Sequence, residues 1–166
     1  MKTLNALLFC ALTMAPVMTL AQDAASSEQA VVGLIKTYWE ARNNADHNTV
    51  AAMESQSGFL GTNSDGSFHK PIAVASAADW QRNMATNGGN LRVAYPEAYE
   101  IADGVVYARY YAEGVVGTDG DMSPYRTRVT SVWVEEDDGI WRVKSMHFSP
   151  ANFGGVHKTQ SADFDD

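Results

Sequence analysis

The chain has 166 residues, a net charge of −8 and 45% hydrophobic residues. This length fits one ordinary globular domain with a sizeable core. Acidity on that scale argues against nucleic acid and anionic membrane surfaces as partners, because proteins bind both through an excess of lysine and arginine.

Residues 1–21 predict a cleaved secretory signal peptide. Lys2 precedes an apolar run, and Thr19 and Ala21 occupy the positions that a signal peptidase reads. An uncleaved membrane anchor is the alternative, which Pro16 and the polar segment that follows disfavour. We therefore expect a periplasmic or secreted bacterial protein, with no membrane attachment after cleavage.

The only cysteine, Cys10, lies inside the predicted signal peptide. Its removal leaves a mature protein without a disulfide, a cysteine nucleophile or a thiolate metal site. The rest of the chain predicts one domain over residues 22–150. An acidic tail over residues 151–166 has little apolar surface to bury, and we expect it to be partly disordered.

The clearest helical pattern lies in residues 26–46. Ser26 and Gln29 form a capping-box pattern at its start. Its apolar residues then recur at helical spacing, at Val31, Leu34, Ile35 and Tyr38. This segment predicts a long N-terminal helix with one buried face.

Shorter elements follow this helix. Residues 49–55 predict a second helix, and residues 76–86 predict a third, capped by Ser76 and Asp79. Between them, residues 58–71 predict a strand, a turn and a returning strand.

From Leu91 onward the pattern changes to strands rich in tyrosine, valine, threonine and tryptophan. Turns rich in glycine and aspartate separate strands at residues 91–101, 104–116, 125–136 and 139–149. Helices followed by long antiparallel strands indicate an α+β domain, in which the helices cover one face of the sheet.

The last two predicted strands carry a recurring set of residues. A tryptophan, a charged turn ending in glycine, a second tryptophan and a histidine two residues before a serine stand at Trp133, Gly139, Trp141, His147 and Ser149. This pattern resembles the nuclear transport factor two-like superfamily. Within it, the chain is most similar to the SnoaL-like group and to the association (hub) domain of calcium/calmodulin-dependent kinases, over residues 27–150.

The resemblance implies a cone-shaped, cystatin-like α+β domain. A strongly curved antiparallel sheet wraps around a long N-terminal helix, with a pocket between them and frequent pairing of sheets into dimers. Arg109 matches an arginine in the pocket of the hub domain, whereas Ser131 and Ser145 replace an arginine and a histidine of that domain. Functions in this superfamily range from isomerases and cyclases to transport factors and hubs, so the resemblance implies a fold more than a chemistry.

Three polar residues are candidates for a ligand site. Arg109 can hold a carboxylate or phosphate through two hydrogen bonds, Tyr111 adds a phenolic donor, and His147 can carry a proton near neutral pH. The alternatives are structural. Arg109 can form an ion pair with Glu113, Glu97 or Glu100, and His147 can bond between strands or across a subunit interface.

Four aromatic residues, Tyr38, Trp39, Trp80 and Trp133, are candidates for apolar pocket walls, and we assign Tyr38, Trp39 and Trp133 to the same site. Small-molecule sites combine aromatic walls with a few polar groups. Core packing is the alternative for each of them, because aromatic residues at helical or strand spacing most often face the core.

These patterns favour an exported protein that binds a small organic molecule, an anion being one option, and forms a homodimer or larger homo-oligomer through its sheet. A second interpretation is a ketosteroid isomerase-like isomerase or lyase. Its base would be His147, Glu113 or Asp46, with Tyr107 or Tyr111 as the oxyanion donor. A third interpretation is a non-catalytic oligomerisation module.

We expect neither a metal nor another cofactor. The four histidines are scattered without the short spacing of metal ligands. The sequence also lacks a glycine-rich phosphate loop and a dinucleotide fingerprint.

Overall fold

The computed structural model describes residues 26–63, 74–84, 88–118 and 120–151. The predicted signal peptide, the returning strand after the first short strand, and all but the first residue of the predicted tail lie outside these ranges. The described residues form three helices and five strands: α1 (Ser27–Asn43), α2 (His47–Met53), β1 (Leu60–Thr62), α3 (Ala77–Met84), β2 (Gly89–Ala102), β3 (Val105–Thr118), β4 (Asp121–Glu135) and β5 (Trp141–Pro150). The predicted α+β class is confirmed.

Helix α1 begins where the capping pattern predicts. The Ser26 side chain accepts a hydrogen bond from the Gln29 backbone N–H at 3.3 Å. The buried face of the helix consists of Val31, Ile35, Tyr38, Trp39 and Ala41. This face packs against the sheet, so α1 is the long helix at the centre of the domain.

Side-chain caps also start the two shorter helices. Asp46 accepts from the backbone N–H and the hydroxyl of Thr49, at 3.1 and 2.6 Å, so α2 begins earlier than predicted. Ser76 and Asp79 bond reciprocally, as the capping-box pattern predicts. None of the helices in the described ranges combines the length and the apolar character needed to cross a bilayer.

The strands form one curved, unclosed sheet in the order β1-β5-β4-β3-β2. Strands β2 to β5 pair as an antiparallel meander, and β1 pairs with β5 in parallel. We call the face that packs on α1 the inner face and the opposite face the outer face. On the two central strands the buried residues of the inner face are Val106, Ala108, Tyr110, Ala112, Thr127, Val129, Ser131 and Trp133.

A β-bulge interrupts the pairing of β4 with β5. Val132 pairs with Ser145, but the next residue, Trp133, pairs with Val143, so Lys144 is an extra residue in β5. Such a residue breaks the alternation of side chains along its strand. Odd-numbered residues of β5 therefore face one side of the sheet before the bulge and the other side after it.

A second bulge lies in the edge strand β2. Ala94 pairs with Tyr111, and Glu97 pairs with Arg109, so Tyr95 and Pro96 together oppose one residue of β3. Tyr95 has a positive φ of 51°, and its side chain is exposed.

Candidate functional site

A buried carboxylate lies at the end of α2. Glu54 is 2% exposed. Its Oε1 accepts a hydrogen bond from the Tyr38 hydroxyl at 3.0 Å, and its Oε2 accepts one from Trp80 Nε1 at 3.1 Å. Side chains from α1 and α3 thus meet at this one acid. Burial raises the pKa of Glu54, and its two hydrogen bonds and the charge of Arg42 offset only part of that rise.

Arg42 lies beside this acid in the last turn of α1 and is half-buried. Its guanidinium carbon is 4.6 Å from the ring centre of Trp39, 5.1 Å from that of Trp80 and 5.9 Å from that of Tyr38. Stacking on aromatic rings fixes the guanidinium plane but leaves the in-plane N–H donors available. Within the described part of the chain, the guanidinium of Arg42 has no ion-pair or hydrogen-bond partner.

A second hydrogen bond in this region joins α1 to the sheet. Trp39 Nε1 donates to the Tyr110 hydroxyl oxygen at 3.0 Å, and both side chains are buried. The hydroxyl hydrogen of Tyr110 has no acceptor among the residues that the structure describes. Burial raises the pKa of both Tyr38 and Tyr110, so both phenols stay protonated at neutral pH.

We call this group of six residues the interior site: Tyr38, Trp39, Arg42, Glu54, Trp80 and Tyr110. The positive charge of Arg42 lowers the pKa of Tyr38, Glu54 and Tyr110, against the rise that burial causes. The site therefore combines one cation with free donors, one acid, one free phenolic donor and aromatic walls. That combination suits a small organic ligand with a charged or strongly polar group.

The structure places three of the six predicted site residues inside the domain. Tyr38 and Trp39 belong to the interior site. Trp133 is 0% exposed and its Nε1 donates to the Ser131 hydroxyl at 3.1 Å, so it is part of the core. The other three predicted residues lie on the outer face.

Arg109 and Tyr111 project from β3 on the opposite side to Tyr110. Arg109 is exposed and forms an ion pair with Glu97, one of the structural partners expected for it. Tyr111 is buried beneath the guanidinium of Arg126, whose carbon is 4.6 Å from the ring centre. The expectation that these two residues share a pocket with Tyr38 and Trp39 is wrong for a single protomer.

His147 is exposed on the outer face, opposite Thr62 and Thr130 in the neighbouring strands. Simple alternation along β5 predicts that it shares a face with Trp141 and Val143. The bulge at Lys144 overturns that prediction, because it returns Val143 to the inner face.

The two acids expected to act as a catalytic base also lie elsewhere. Asp46 caps α2, and its hydrogen bonds with Thr49 lower its pKa. Glu113 lies on the outer face, where it forms ion pairs with Arg92 at 2.7 Å and Arg126 at 3.3 Å. Neither acid reaches the interior site.

Arg42, Glu54 and Tyr110 were not predicted as site residues, and helical spacing contains a signal for the first two. Glu54 follows Val50 by four residues, which places it on the apolar face of the second helix predicted over residues 49–55, although in the structure it is the C-cap of α2. Arg42 follows Trp39 by three residues and Tyr38 by four, so it extends the aromatic face of α1. A charged residue on an apolar helix face predicts a buried polar group, although it does not identify the partners.

A separate open groove of about 760 Å³ lies at one end of the sheet. Its lining residues are Asn90, Arg92, Glu113, Gly114, Pro124, Tyr125, Arg126 and Ala151. Glu113 bridges the two arginines, so these three side chains together carry one net positive charge. In the described ranges, no group of three or more histidine, cysteine, aspartate or glutamate side chains could hold a metal ion.

Comparison with known proteins identifies the fold. No protein-family model matches the chain, and no curated protein matches it significantly. An NTF2-like protein of unknown function from Pseudomonas putida KT2440 matches with a TM-score of 0.59 and 18% identity, over 80% of this chain and 91% of that one.

Two further solved structures relate to the functions expected from the sequence. A ketosteroid isomerase-like protein from Erwinia carotovora atroseptica matches with a TM-score of 0.58 and 18% identity, over 74% of this chain and 94% of that one. A candidate Ca/calmodulin-dependent kinase II association domain from Exiguobacterium sibiricum matches with a TM-score of 0.59 and 12% identity, over 75% of this chain and 92% of that one. The resemblance inferred from the last two strands is confirmed at the level of the fold.

Proposed function

We propose that this protein, whose fold is NTF2-like, binds a small organic anion in the interior site. The observation that carries the proposal is the half-buried guanidinium of Arg42, which lacks an ion-pair partner in the described residues. An unpaired cation in a partly desolvated place is costly unless it gains a partner. A carboxylate accepts two parallel hydrogen bonds from guanidinium, so it is the best-matched partner.

The surroundings of Arg42 favour a flat organic anion over a small inorganic one. Trp39 and Trp80 place indole rings on the guanidinium, and Phe148 packs edge-on against Trp39 at 6.2 Å. The free hydroxyl hydrogen of Tyr110 offers a second directed contact to the same ligand. Aromatic walls with few fixed donors are typical of sites for planar organic molecules.

A matched pair of arginine variants tests the proposal. The probes are benzoate, phenylacetate and benzenesulfonate, with uncharged benzamide as the comparison, and binding is followed by calorimetry and by the tryptophan indole N–H signals in NMR. Arg42→Gln should weaken binding of the anions at least tenfold, because one buried charge-assisted pair contributes on the order of 1.5–3 kcal/mol. Arg109→Gln, on the outer face, should leave the affinity unchanged. The reverse result would move the site to the outer face.

Proton transfer is a second candidate function, which the position of Glu54 favours. A buried carboxylate with a raised pKa is a suitable general base for removing a proton next to a carbonyl group. In this reaction Glu54 would take the proton from carbon, and the Tyr110 hydroxyl would bond to the resulting enolate oxygen. Return of the proton to a different carbon would complete an isomerisation.

The isomerase hypothesis has a direct assay. Conversion of cyclohex-3-enone to its conjugated isomer is measured by absorbance, together with deuterium exchange from solvent by NMR. Activity above the buffer rate that Glu54→Gln removes would support the hypothesis. A wild-type rate equal to that of buffer, for this and larger unsaturated ketones, would oppose it and leave binding as the function.

Pairing of two copies through the outer face is also part of the proposed function. One row of the outer face is partly apolar and crosses the sheet through Leu60, Val132, Tyr107 and Tyr99, of which Leu60 is 42% and Tyr99 50% exposed. Sedimentation analysis should show a dimer that Leu60→Lys combined with Tyr99→Lys dissociates. Ile140→Lys, an equally exposed position in the β4–β5 turn, is the control.

Export from the cytoplasm completes the proposal. The expected signal peptide is tested by expressing the full chain in a Gram-negative host and measuring the mass of the periplasmic product. A mature chain that begins at Gln22 is the expected result. Retention of the intact chain in the cytoplasm would contradict export.

A further inference from the structure

We infer that the interior site takes up one proton with each anion that it binds, and that Glu54 accepts this proton. The inference rests on the proposed binding function and adds its regulation. The inference also narrows the ligand class, because binding an anion together with one proton is equivalent to binding the neutral form of a weak acid. The position of Glu54 relative to Arg42 carries the argument.

Glu54 and Arg42 touch the same two aromatic side chains. Tyr38 and Trp80 donate hydrogen bonds to Glu54, while their rings lie against the Arg42 guanidinium. Even so, no ion pair joins Arg42 to Glu54. An anion bound to Arg42 would therefore lie close to a carboxylate that already occupies the same low-dielectric region.

Two negative charges in such a region repel each other strongly. Protonation of Glu54 removes the repulsion and keeps the side chain in place. The protonated acid still accepts from Trp80, and it can donate to Tyr38, whose hydroxyl is able to accept. Uptake of a proton thus keeps Glu54 in hydrogen-bond contact with both residues, and requires only that the Tyr38 hydroxyl turn its own hydrogen away from Glu54.

The other charged groups around Glu54 do not compete for this proton. On α1, the Arg42 guanidinium has donors but no acceptor, and burial raises the pKa of Tyr38 and keeps it neutral. On α3, Asp79 and Arg82 pair with each other. On the sheet, Tyr110 stays neutral, and the strand β5 that neighbours Glu54 brings Arg142 and Lys144, which bond to other partners.

The direction of the pH dependence follows from burial. Burial raises the pKa of Glu54 in the free protein, and a bound anion raises it further. Between those two pKa values the complex holds one more proton than the free protein. In that window the dissociation constant should increase by up to tenfold per pH unit as the pH rises.

The experiment uses benzenesulfonate, which stays ionised throughout the pH range, with the full mature protein. Calorimetry in two buffers of different ionisation enthalpy, repeated across a pH series, measures the protons taken up per anion bound at each pH, and needs no variant. A pH series of dissociation constants for wild type and Glu54→Gln then locates the proton. The glutamine amide can accept from Trp80 and donate to Tyr38, so the variant keeps a hydrogen bond to each residue and has the bond to Tyr38 reversed, as in the protonated acid.

The inference predicts uptake approaching one proton in the wild type and none in Glu54→Gln, whose affinity should be independent of pH. Wild-type binding without proton uptake would overturn the inference and leave the proposed function intact. Equal pH dependence in both proteins would do the same, because the proton would then belong to another group. Absence of benzenesulfonate and benzoate binding at every pH would overturn the proposed function and this inference with it.

Discussion

The side-chain amide of Asn43 forms two hydrogen bonds with the backbone of Leu91. Its Nδ2 donates to the Leu91 carbonyl at 2.7 Å, and its Oδ1 accepts from the Leu91 N–H at 2.9 Å. The Asn43 amide thereby makes the two hydrogen bonds to Leu91 that the backbone of a neighbouring strand would make, and it joins the end of α1 to β2. Because Arg42 is the preceding residue, this contact also fixes the position of the interior site relative to the sheet.

Asn43→Asp should destabilise the fold by about 1–3 kcal/mol, because a carboxylate cannot donate to the Leu91 carbonyl and leaves it unsatisfied. Urea unfolding followed by circular dichroism measures the change. Asn44→Asp is the matched control. It places the same charge at the same helix end and should cost only about 0.3–1 kcal/mol through the helix dipole. Equal losses would mean that the Leu91 contact contributes nothing.

Glu54 should make stability depend on pH in a direction opposite to that of the capping acids. Its folded pKa is raised above the ordinary 4.5, so its contribution is complete below that value and is lost as pH rises through the folded pKa. Glu54→Gln should therefore gain stability relative to wild type as the pH rises from 4.5 through the raised pKa of folded Glu54. Asp46, Asp79 and Asp138, whose pKa values are lowered, contribute equally to both proteins. A stability difference between wild type and Glu54→Gln that does not change with pH would contradict the raised pKa of Glu54.

The hydrogen bond between Trp39 and Tyr110 predicts non-additive substitutions. Tyr110→Phe leaves a buried indole N–H without an acceptor and should cost about 1–3 kcal/mol. Combined with Trp39→Phe, it should cost less than the sum of the two single changes, by about 0.5–3 kcal/mol. Thermal and urea unfolding of the four proteins measures the coupling. Strict additivity would show that the hydrogen bond does not stabilise the protein.

Replacement of two glycines by alanine should change the stability of the protein in opposite directions. Gly117 has a φ of 134°, and an added Cβ would lie 2.1 Å from the Asp121 carbonyl oxygen, so Gly117→Ala should cost at least about 2 kcal/mol. Gly33 is exposed in the middle of α1 with open space around it, so Gly33→Ala should stabilise by about 0.5–1 kcal/mol. Differential scanning calorimetry of both variants checks the two signs.

Local patterns were enough to predict most of the fold. The spacing of Val31, Ile35 and Tyr38 predicts α1, and the capping residues Ser26 and Ser76 predict two of the helix starts. These features depend only on neighbours within one or two turns of the chain, so the sequence contains them directly. The four long strands were predicted for the same reason, with boundaries a few residues from those observed.

The candidate site was harder to predict because it depends on contacts between distant elements. Glu54 gains its partners only when α1 and α3 fold against the end of α2. The sheet face on which His147 lies depends on one extra residue in β5, Lys144. The alternation of residues in the sequence does not indicate where such a bulge occurs. The partner of Arg109 was predicted in part, since Glu97 is one of the three acids that the sequence offered for an ion pair.

The bulge at Tyr95 and Pro96 has a consequence for the behaviour of the protein at high concentration. Strand β2 lies at the edge of the sheet, where an uninterrupted row of N–H and C=O groups would be a template for strands of other molecules. Pro96 has no N–H to offer, and the bulge bends the edge at its midpoint. The β2 edge is therefore a poor template for intermolecular β-aggregation and fibre growth.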